Sequence, residues 1–308
     1  MPPLPPPTDE PLETRFRPPW PLDTVLTLAP LRHGTGDPTI RFEPGVVWRA
    51  TRTPLGPATT RTELGGGEHR VLAWGPGREW ALTALPRLLG VEDDPGLFDP
   101  PPGLVRDLHR LRPGLRFGRT DAVIESLVPA IIEQKVTGSE ARRAYRGLVR
   151  SYGEPAPGPG GLRLLPSPRQ LADLPYHAYH PFGLEARRAQ TIRRAAARAS
   201  WLEAATTLAP REAMARLTSV PGIGQWTAAE TARAAFGDPD AVSLGDFHLP
   251  NLVCWALAGE PRGDDSRMLE LLEPYRGQRA RVVRLLESAG IRVPRYGPPV
   301  SPRSIASF

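Results

Sequence analysis

The chain has 308 residues, 40% of them hydrophobic and 23% charged, which predicts a globular protein with a sizeable core, divided into two domains. Its formal net charge of +6 and isoelectric point of about 10 favour a polyanionic partner. The single cysteine, Cys254, excludes an internal disulfide, a zinc ribbon and a four-cysteine iron–sulfur cluster, and no apolar run approaches the length of a membrane span.

The first stretch of the chain, MPPLPPPTDEP, has neither the basic segment nor the apolar segment of a signal peptide. Its prolines predict a disordered tail over residues 1–17. We therefore expect a cytoplasmic protein that does not interact with a membrane.

Residues 18–98 predict a small α+β domain. The runs TVLTLAPL, TIRFEPG, VVWRATRT and HRVLAWG are β-branched or alternating, and glycine and proline turns separate them. Residues 78–91 have helical spacing that Pro86 interrupts, which predicts a kink or a late start. The stretch EDDPGLFDPPPG then breaks the pattern and marks a domain boundary.

Residues 99–296 predict an array of helices, followed by a C-terminal tail over residues 297–308. Apolar residues three and four positions apart recur through the array, beginning with DAVIESLVPAIIEQKV and SEARRAYRGLVRSYG. For the second of these helices, Ser139 is the predicted N-cap and Gly153 the predicted end.

The stretch SVPGIGQWTAAETARAAF, residues 219–236, places an irregular backbone between two predicted helices. The same glycines would serve a tight turn between packed helices. They also allow a phosphate to approach the backbone and the N–H groups that begin the second helix. The glycines alone would favour the plain turn. The stretch resembles the helix–hairpin–helix motif in its length and flanking residues, and this resemblance implies phosphate binding, with the predicted contacts Val220, Gly222, Ile223, Gly224, Gln225 and Thr227.

The pattern V-P-G-I-G-x-W-T-A resembles the helix–hairpin–helix motif. It is followed by LGDFHLPN, in which Asp246 comes after a glycine and begins a helical run. This order resembles the helix–hairpin–helix DNA glycosylase superfamily and, within it, the 3-methyladenine DNA glycosylase II group, over roughly residues 99–290. The resemblance implies a two-lobed, all-α body after the strand-rich domain, with the active cleft between the lobes.

The resemblance implies that Asp246 is the catalytic residue of base excision from double-stranded DNA in base-excision repair. The base would be an alkylated purine: 3-methyladenine first, with 7-methylguanine as a second candidate. A carboxylate below the sugar stabilises the oxocarbenium character of the transition state or orients water, and a cationic base leaves without much acid help. A plain N-cap role for Asp246 is compatible with this chemistry. Asp238 and Asp240 belong to a predicted turn, and His248 is a predicted surface residue.

The resemblance also separates this chain from relatives that cut the strand. Those relatives place a Schiff-base lysine two residues after the second hairpin glycine, where this chain has Trp226, and the sole lysine, Lys135, lies elsewhere. We therefore predict a monofunctional enzyme without lyase activity, with no cofactor and no catalytic metal. A monovalent cation at the hairpin carbonyls would be structural.

The remaining site residues follow from the resemblance. Trp226 and Tyr275 are the predicted lining of the base pocket, with Glu230 standing where the group can have an aromatic residue. Lys135 or Gln134 is the predicted plug that fills the space left by the flipped base, and a solvated helix-end lysine is the alternative for Lys135. A later basic helix carries four arginines that either contact phosphates or are simply solvated. They are Arg187, Arg188, Arg193 and Arg194.

Two other functions stay open at this point. The first is a non-catalytic helix–hairpin–helix protein that binds DNA or senses damage, against which Asp246 argues. The second is a glycosylase for oxidised purines, which the missing lysine disfavours. We expect a monomer bound to double-stranded DNA in each case.

Overall fold

A computed structural model describes residues 10–294. Its N-terminal part is one antiparallel sheet with the strand order β1-β5-β4-β3-β2. Three of the four β-branched or alternating runs, TIRFEPG, VVWRATRT and HRVLAWG, form strands of this sheet, and all neighbouring strands pair antiparallel. The fourth run, TVLTLAPL, forms a short helix instead, because the Asp23 side chain accepts the Leu26 N–H and caps its start. The strands are β1 (Leu12–Phe16), β2 (Ile40–Glu43), β3 (Val46–Thr53), β4 (Gly56–Glu63) and β5 (His69–Trp74).

Both faces of this sheet are covered, as its alternating side chains require. On one face, Val47 and Val71 pack with Leu28 of helix α1 (Thr24–Leu28) and Leu85 of helix α2 (Arg78–Leu88). On the other face, Trp48 and Trp74 stack with their ring centroids 5.7 Å apart and pack against Leu162 and Leu164 from the helical part of the chain. The sheet therefore shares a hydrophobic core with a loop some ninety positions further along.

The structure also differs from the sequence-based expectations at one strand and at one helix cap. Strand β1 lies within the segment predicted as a tail, because Leu12 to Phe16 pair residue by residue with β5. Thr137, not Ser139, is the N-cap of the helix Gly138–Tyr152, since its side chain and that of Glu140 form a capping box. Residues 1–9 of the predicted tail, and the C-terminal tail predicted over residues 297–308, lie outside the described residues.

The rest of the described chain is helical, and the fold is mixed α+β as predicted. Helix α2 begins at Arg78, so Pro86 does not delay its start. None of the helices between residues 10 and 294 is both long and apolar enough to span a bilayer. The further helices are α3 (Leu104–Leu111), α4 (Val123–Ile132), α5 (Gly138–Tyr152), α6 (Pro168–Asp173), α7 (Tyr176–Tyr179), α8 (Ala186–Ala196), α9 (Ala199–Glu203), α10 (Pro210–Thr218), α11 (Gln225–Ala235), α12 (Leu249–Ala258), α13 (Asp265–Leu272) and α14 (Arg279–Ser288).

The helices pack around two separate hydrophobic clusters. The first cluster joins α4, α5, α8, α10 and α11, with Leu127 and Ile192 fully buried in it. The second cluster joins α3, α12, α13 and α14 around Val253 and Leu286. The chain passes from the first cluster to the second between the end of α11 and the start of α12, which is the segment that contains Asp246.

Candidate active site

The hairpin between α10 and α11 is fixed to the first cluster by its two apolar residues. Val220 and Ile223 are only 2% and 5% exposed, and the Ile223 N–H donates to the Val220 carbonyl at 3.0 Å. Between them, Gly222 has a φ of +101°, a conformation that side chains rarely adopt. Buried anchors thus hold a loop whose remaining residues are exposed.

The two hairpin glycines have different tasks. A Cβ on Gly222 would lie 2.1 Å from the Thr191 hydroxyl, so this glycine is needed for packing as well as for its φ. A Cβ on Gly224 would meet no atom within 4 Å. Gly224 is the N-cap of α11 and offers no side chain, so the first-turn N–H groups of α11 have no side-chain acceptor. The start of α11 is therefore open to an external anion.

Gln134, one of the two predicted plug residues, is bonded to this hairpin. Its amide nitrogen donates to the Gly222 carbonyl at 3.0 Å and to the Thr227 hydroxyl at 2.8 Å. Thr227 is itself buried, whereas Gln225 is exposed. Gln134 therefore connects the loop after α4 to the hairpin in this structure.

Lys135, the other predicted plug residue, is exposed and has a φ of +55°. No hydrogen bond or ion pair to its ammonium group occurs within residues 10–294. A lysine in this conformation costs of the order of 1 kcal/mol, and such backbone strain concentrates at functional sites. Of the two candidates, Lys135 is thus the one whose side chain is unengaged.

Asp246 and Trp226 come together, although 20 positions separate them. The indole N–H of Trp226 donates to Asp246 Oδ2 at 2.9 Å. Asp246 Oδ1 accepts the backbone N–H groups of His248 at 2.7 Å and Leu249 at 2.9 Å. His248, and not Asp246, is the N-cap of α12. Asp246 instead lies just before the helix, where one of its oxygens accepts N–H groups at the helix start and the other accepts the Trp226 indole N–H. Both side chains remain partly exposed.

Arg233 of α11 lies among several carboxylates, and the side chains of Arg233 and Glu230 are 18% and 24% exposed. Glu230 forms an ion pair with Arg233, three positions later on α11, and accepts a hydrogen bond from the Ser243 hydroxyl at 2.5 Å. Burial lowers the pKa of Arg233, but Glu230, Glu287 and Asp246 outweigh burial, so that this pKa is raised. Burial raises the pKa of Glu287 despite the opposing effect of Arg233. The guanidinium of Arg233 is thus kept charged beside three carboxylates.

The other acidic candidates have structural roles. Asp240 binds the side chain and the N–H of Arg279 and the N–H of Gly277. Burial raises the pKa of Asp240, but Arg279 more than offsets burial and the net pKa is lowered. Asp238 accepts the N–H of Asp240 and closes the predicted turn. Neither carboxylate contacts Trp226 or the start of α12 in the described part of the chain.

Several other predicted residues take part in packing. Tyr275 packs against the second cluster with its ring 6.2 Å from Phe98, and burial raises its pKa. No hydrogen bond or ring contact joins Tyr275 to Trp226 in the described region. On α8, Arg188 is buried and donates to the Ile132 carbonyl at 2.7 Å, so it is not the phosphate contact or solvated arginine that its charge run predicted.

Two further features near the site, the exposed side chain of Phe247 and a cavity, were not predicted from the sequence. Phe247 directly follows Asp246, is 77% exposed and stands edge-on to His248. Its position after the acid was the only signal for it. The cavity has a volume of about 540 Å³ and lies between the sheet, α4, α5 and α11, with His33, Glu133 and Glu230 among its lining residues. Within residues 10–294 no group of three acidic, histidine or cysteine side chains could hold a metal ion.

Comparison with known proteins finds relatives in sequence and in structure. A protein of Mycobacterium tuberculosis described as a "Probable bifunctional transcriptional activator/DNA repair enzyme AlkA" is 31% identical over 175 residues. The match covers 55% of this chain and 35% of the relative, so this chain spans about a third of the length of the curated relatives that it matches. No protein-family model matches the chain.

Solved structures share the fold over most of both chains. The 3-methyladenine DNA glycosylase of Archaeoglobus fulgidus has a TM-score of 0.73 and 20% identity, with 89% of this chain and 97% of that one covered. The 8-oxoguanine glycosylase/lyase of Clostridium acetobutylicum, in complex with double-stranded DNA, has a TM-score of 0.70 and 14% identity, with 92% and 100% covered. The sequence match confirms the resemblance to a DNA repair enzyme of this kind, and the solved structures show that the chain shares its fold with DNA glycosylases, among them a 3-methyladenine glycosylase.

Proposed function

We propose that this chain is a monofunctional DNA glycosylase that removes alkylated purines, 3-methyladenine first and 7-methylguanine second, from double-stranded DNA in base-excision repair. The observation that carries the proposal is the 2.9 Å contact between Asp246 and Trp226. It joins a carboxylate three residues before α12 to the aromatic residue that follows a helix–hairpin–helix turn.

The hairpin would hold the DNA by its backbone. Its open helix start at Gly224 offers N–H groups to a phosphate, and such contacts position a duplex without reading its sequence. The two hydrophobic clusters support a body of two lobes with a cleft between them, because Trp226 follows the hairpin of the first cluster and Asp246 leads into α12 of the second. A flipped nucleotide in that cleft would meet both residues.

Asp246 would act on the sugar of that nucleotide. Two backbone N–H groups and one indole N–H orient its carboxylate before the substrate arrives. A carboxylate held in this way stabilises positive charge that develops at C1′ and can orient a water molecule towards it. The bond between C1′ and the base nitrogen breaks, its electron pair leaves with the base, and water supplies the new hydroxyl. An alkylated purine is already cationic and leaves as a neutral base.

The lyase reaction would need an amine at the site, and the chain does not supply one there. Trp226 stands at the position of the lyase lysine, and Lys135 lies on the loop between α4 and α5. The product of the proposed enzyme is therefore an intact strand with an abasic site.

The test is a release assay on methylated double-stranded DNA, with the freed bases identified by chromatography. We expect 3-methyladenine among the products and strand cleavage only after alkali or heat. Release of 8-oxoguanine from oxidised DNA, without release of methylated bases, would replace this proposal by the oxidised-purine function. A covalent enzyme–DNA adduct trapped by borohydride would overturn the assignment as monofunctional.

A further inference from the structure

The cavity of about 540 Å³ begins one helical turn beyond Trp226. Glu230 and Ala234, which line it, follow Trp226 by four and eight residues on α11, so all three lie on one side of that helix. Its volume is within the range of about 300–1,000 Å³ that is typical of small-molecule sites. The cavity thus lies along the side of α11 that also carries Trp226, one turn further along the helix.

Glu230 presents a partly engaged carboxylate to this cavity. Its Oε1 atom pairs with Arg233 and accepts the Ser243 hydroxyl at 2.5 Å. No hydrogen bond to its Oε2 atom occurs among the described residues, and the side chain is 24% exposed. Ser243 precedes Asp246 by three residues, so the loop that carries the predicted catalytic carboxylate also holds Glu230 in place.

The other two carboxylates of the cavity wall are committed elsewhere. Glu125 accepts from the Arg52 N–H at 2.6 Å and the Thr51 hydroxyl at 2.7 Å, and it pairs with Arg49. Glu133 lies 3.4 Å from the ring of His33. Neither residue belongs to the helix that carries Trp226. Of these three carboxylates, Glu230 is the one on the helix of Trp226, with Oε1 held by Arg233 and Ser243 and Oε2 able to accept a hydrogen bond from a ligand.

We propose that Glu230 determines base specificity by accepting a hydrogen bond from the exocyclic amino group of an alkylated adenine held in this cavity. This inference rests on the proposed function and deepens it. A carboxylate accepts hydrogen bonds and cannot donate them when ionised, so it favours a base edge that carries N–H groups. A base that presents only acceptors would leave the carboxylate unpaired and desolvated, which enzymes use to reject analogues.

The pair of substrates that tests this is 3-methyladenine and 1,N6-ethenoadenine. Both are adenine derivatives, but the etheno bridge consumes the amino N–H groups. We expect Glu230→Gln to lower single-turnover release of 3-methyladenine by about tenfold, the effect of one hydrogen bond to a charged group. Release of ethenoadenine, and affinity for a duplex with an abasic site, should stay within twofold.

The outcomes separate the possible failures. If the wild type releases neither base, the proposed function fails. The role of Glu230 fails in two cases, provided that the wild type releases 3-methyladenine. In the first, Glu230→Gln keeps that release rate within twofold; in the second, it lowers the release rates of 3-methyladenine and ethenoadenine equally. Where the wild type releases no ethenoadenine, affinity for the abasic duplex supplies the comparison. Because Arg233 loses a charged partner in this variant, thermal unfolding is measured alongside.

Two further variants sharpen the result. Ser243→Ala leaves the carboxylate but removes a hydrogen bond that holds it, so we expect a smaller loss of 3-methyladenine release than in Glu230→Gln. Glu133→Gln makes the same chemical change on the other wall of the cavity, so it tests whether that carboxylate contacts the base in place of Glu230. A tenfold loss in Glu133→Gln with none in Glu230→Gln would move the contact to Glu133 and overturn the inference.

Discussion

The start of α11 and the start of α12 are two helix N-termini treated in opposite ways. At α11 the N-cap is Gly224, no side chain accepts the first N–H groups, and there is free space around the Cα atom. At α12 the carboxylate of Asp246 accepts two backbone N–H groups. The N–H groups of an uncapped helix start can bind an external anion. At a capped start the same groups already donate to a side-chain carboxylate and hold it in place. The first suits a phosphate contact and the second suits a preorganised catalytic group.

Removing the negative charge at α12 should give the largest effect. Asp246→Asn keeps a side-chain oxygen that can accept the N–H groups of His248 and Leu249, so the fold should persist. We expect release of 3-methyladenine to fall by about a hundredfold or more, as when a key electrostatic group is removed. Duplex affinity should be unchanged in a titration with labelled DNA. Single-turnover release near the wild-type rate would remove Asp246 from the mechanism.

Making α11 resemble α12 should come next in size. Gly224→Asp supplies a carboxylate cap in open space, so we expect the free energy of unfolding to rise slightly, by about 0.3 kcal/mol. The same carboxylate occupies the N–H groups and repels phosphate, so affinity for damaged and undamaged duplex should fall about tenfold or more.

The matched variants of that experiment are Gly224→Ala and Gly222→Ala. Gly224→Ala adds neither an acceptor nor a charge, so its loss of affinity should be the smaller one. Gly222→Ala should instead lose about 1–3 kcal/mol of stability, because the residue has a φ of +101° and a Cβ there meets Thr191. Unchanged duplex affinity in a folded Gly224→Asp protein would favour a plain turn between helices.

The bond between the two regions can be removed alone. Trp226→Phe keeps an aromatic ring and deletes the N–H that donates to Asp246 Oδ2. We expect release to fall about tenfold, the scale of one hydrogen bond to a charged group, with duplex affinity unchanged. Trp201→Phe changes a 44%-exposed tryptophan that stacks on Arg216 and serves as the control. Equal rates in both variants would show that the indole N–H does not orient Asp246.

Lys135 should give the smallest effect, and one that depends on the substrate. If its stem fills the space left by the flipped nucleotide, Lys135→Ala should slow release most for well-paired bases and least opposite a mismatch. The slope of log affinity against log salt should also fall by about one unit if the ammonium meets a phosphate. Lys135→Gly relieves the strain of the +55° φ and separates that effect from loss of the side chain. Equal modest losses on paired and mispaired targets would leave Lys135 as a phosphate contact and make Gln134 the candidate plug.

The hairpin could be predicted because its chemistry is local. Two glycines, a proline and the two helices that flank them lie within residues 210–235, and the position of Asp246 after them completes the pattern. The indole–carboxylate bond could not be predicted, since it depends on how two helices with separate cores are placed. The bond from Gln134 to Gly222 spans 88 positions and had no signal in the sequence.

The errors have the same origin. Strand β1 was read as a tail because its five residues form a strand only through pairing with β5, more than fifty positions away. The buried Arg188 lies in a run of arginines that looks exposed, and only the approach of the Ile132 carbonyl distinguishes it. The cavity draws its walls from segments between Ala29 and Ala234, so no window of sequence contains it.

The second face of the sheet has a consequence for how this protein unfolds. Leu162 and Leu164 reach back to cover Trp48 and Trp74, and Arg41 donates to the Gly160 carbonyl at 2.8 Å. The sheet and the helical part of the chain are therefore covalently linked and also packed directly against each other. If the chain were divided at the boundary expected near residue 98, Trp48 and Trp74 would be exposed to solvent. The loop with Leu162 and Leu164 would lose the surface that it packs on. The two halves should melt as one cooperative unit, and neither should be a portable module that can be exchanged between proteins by itself.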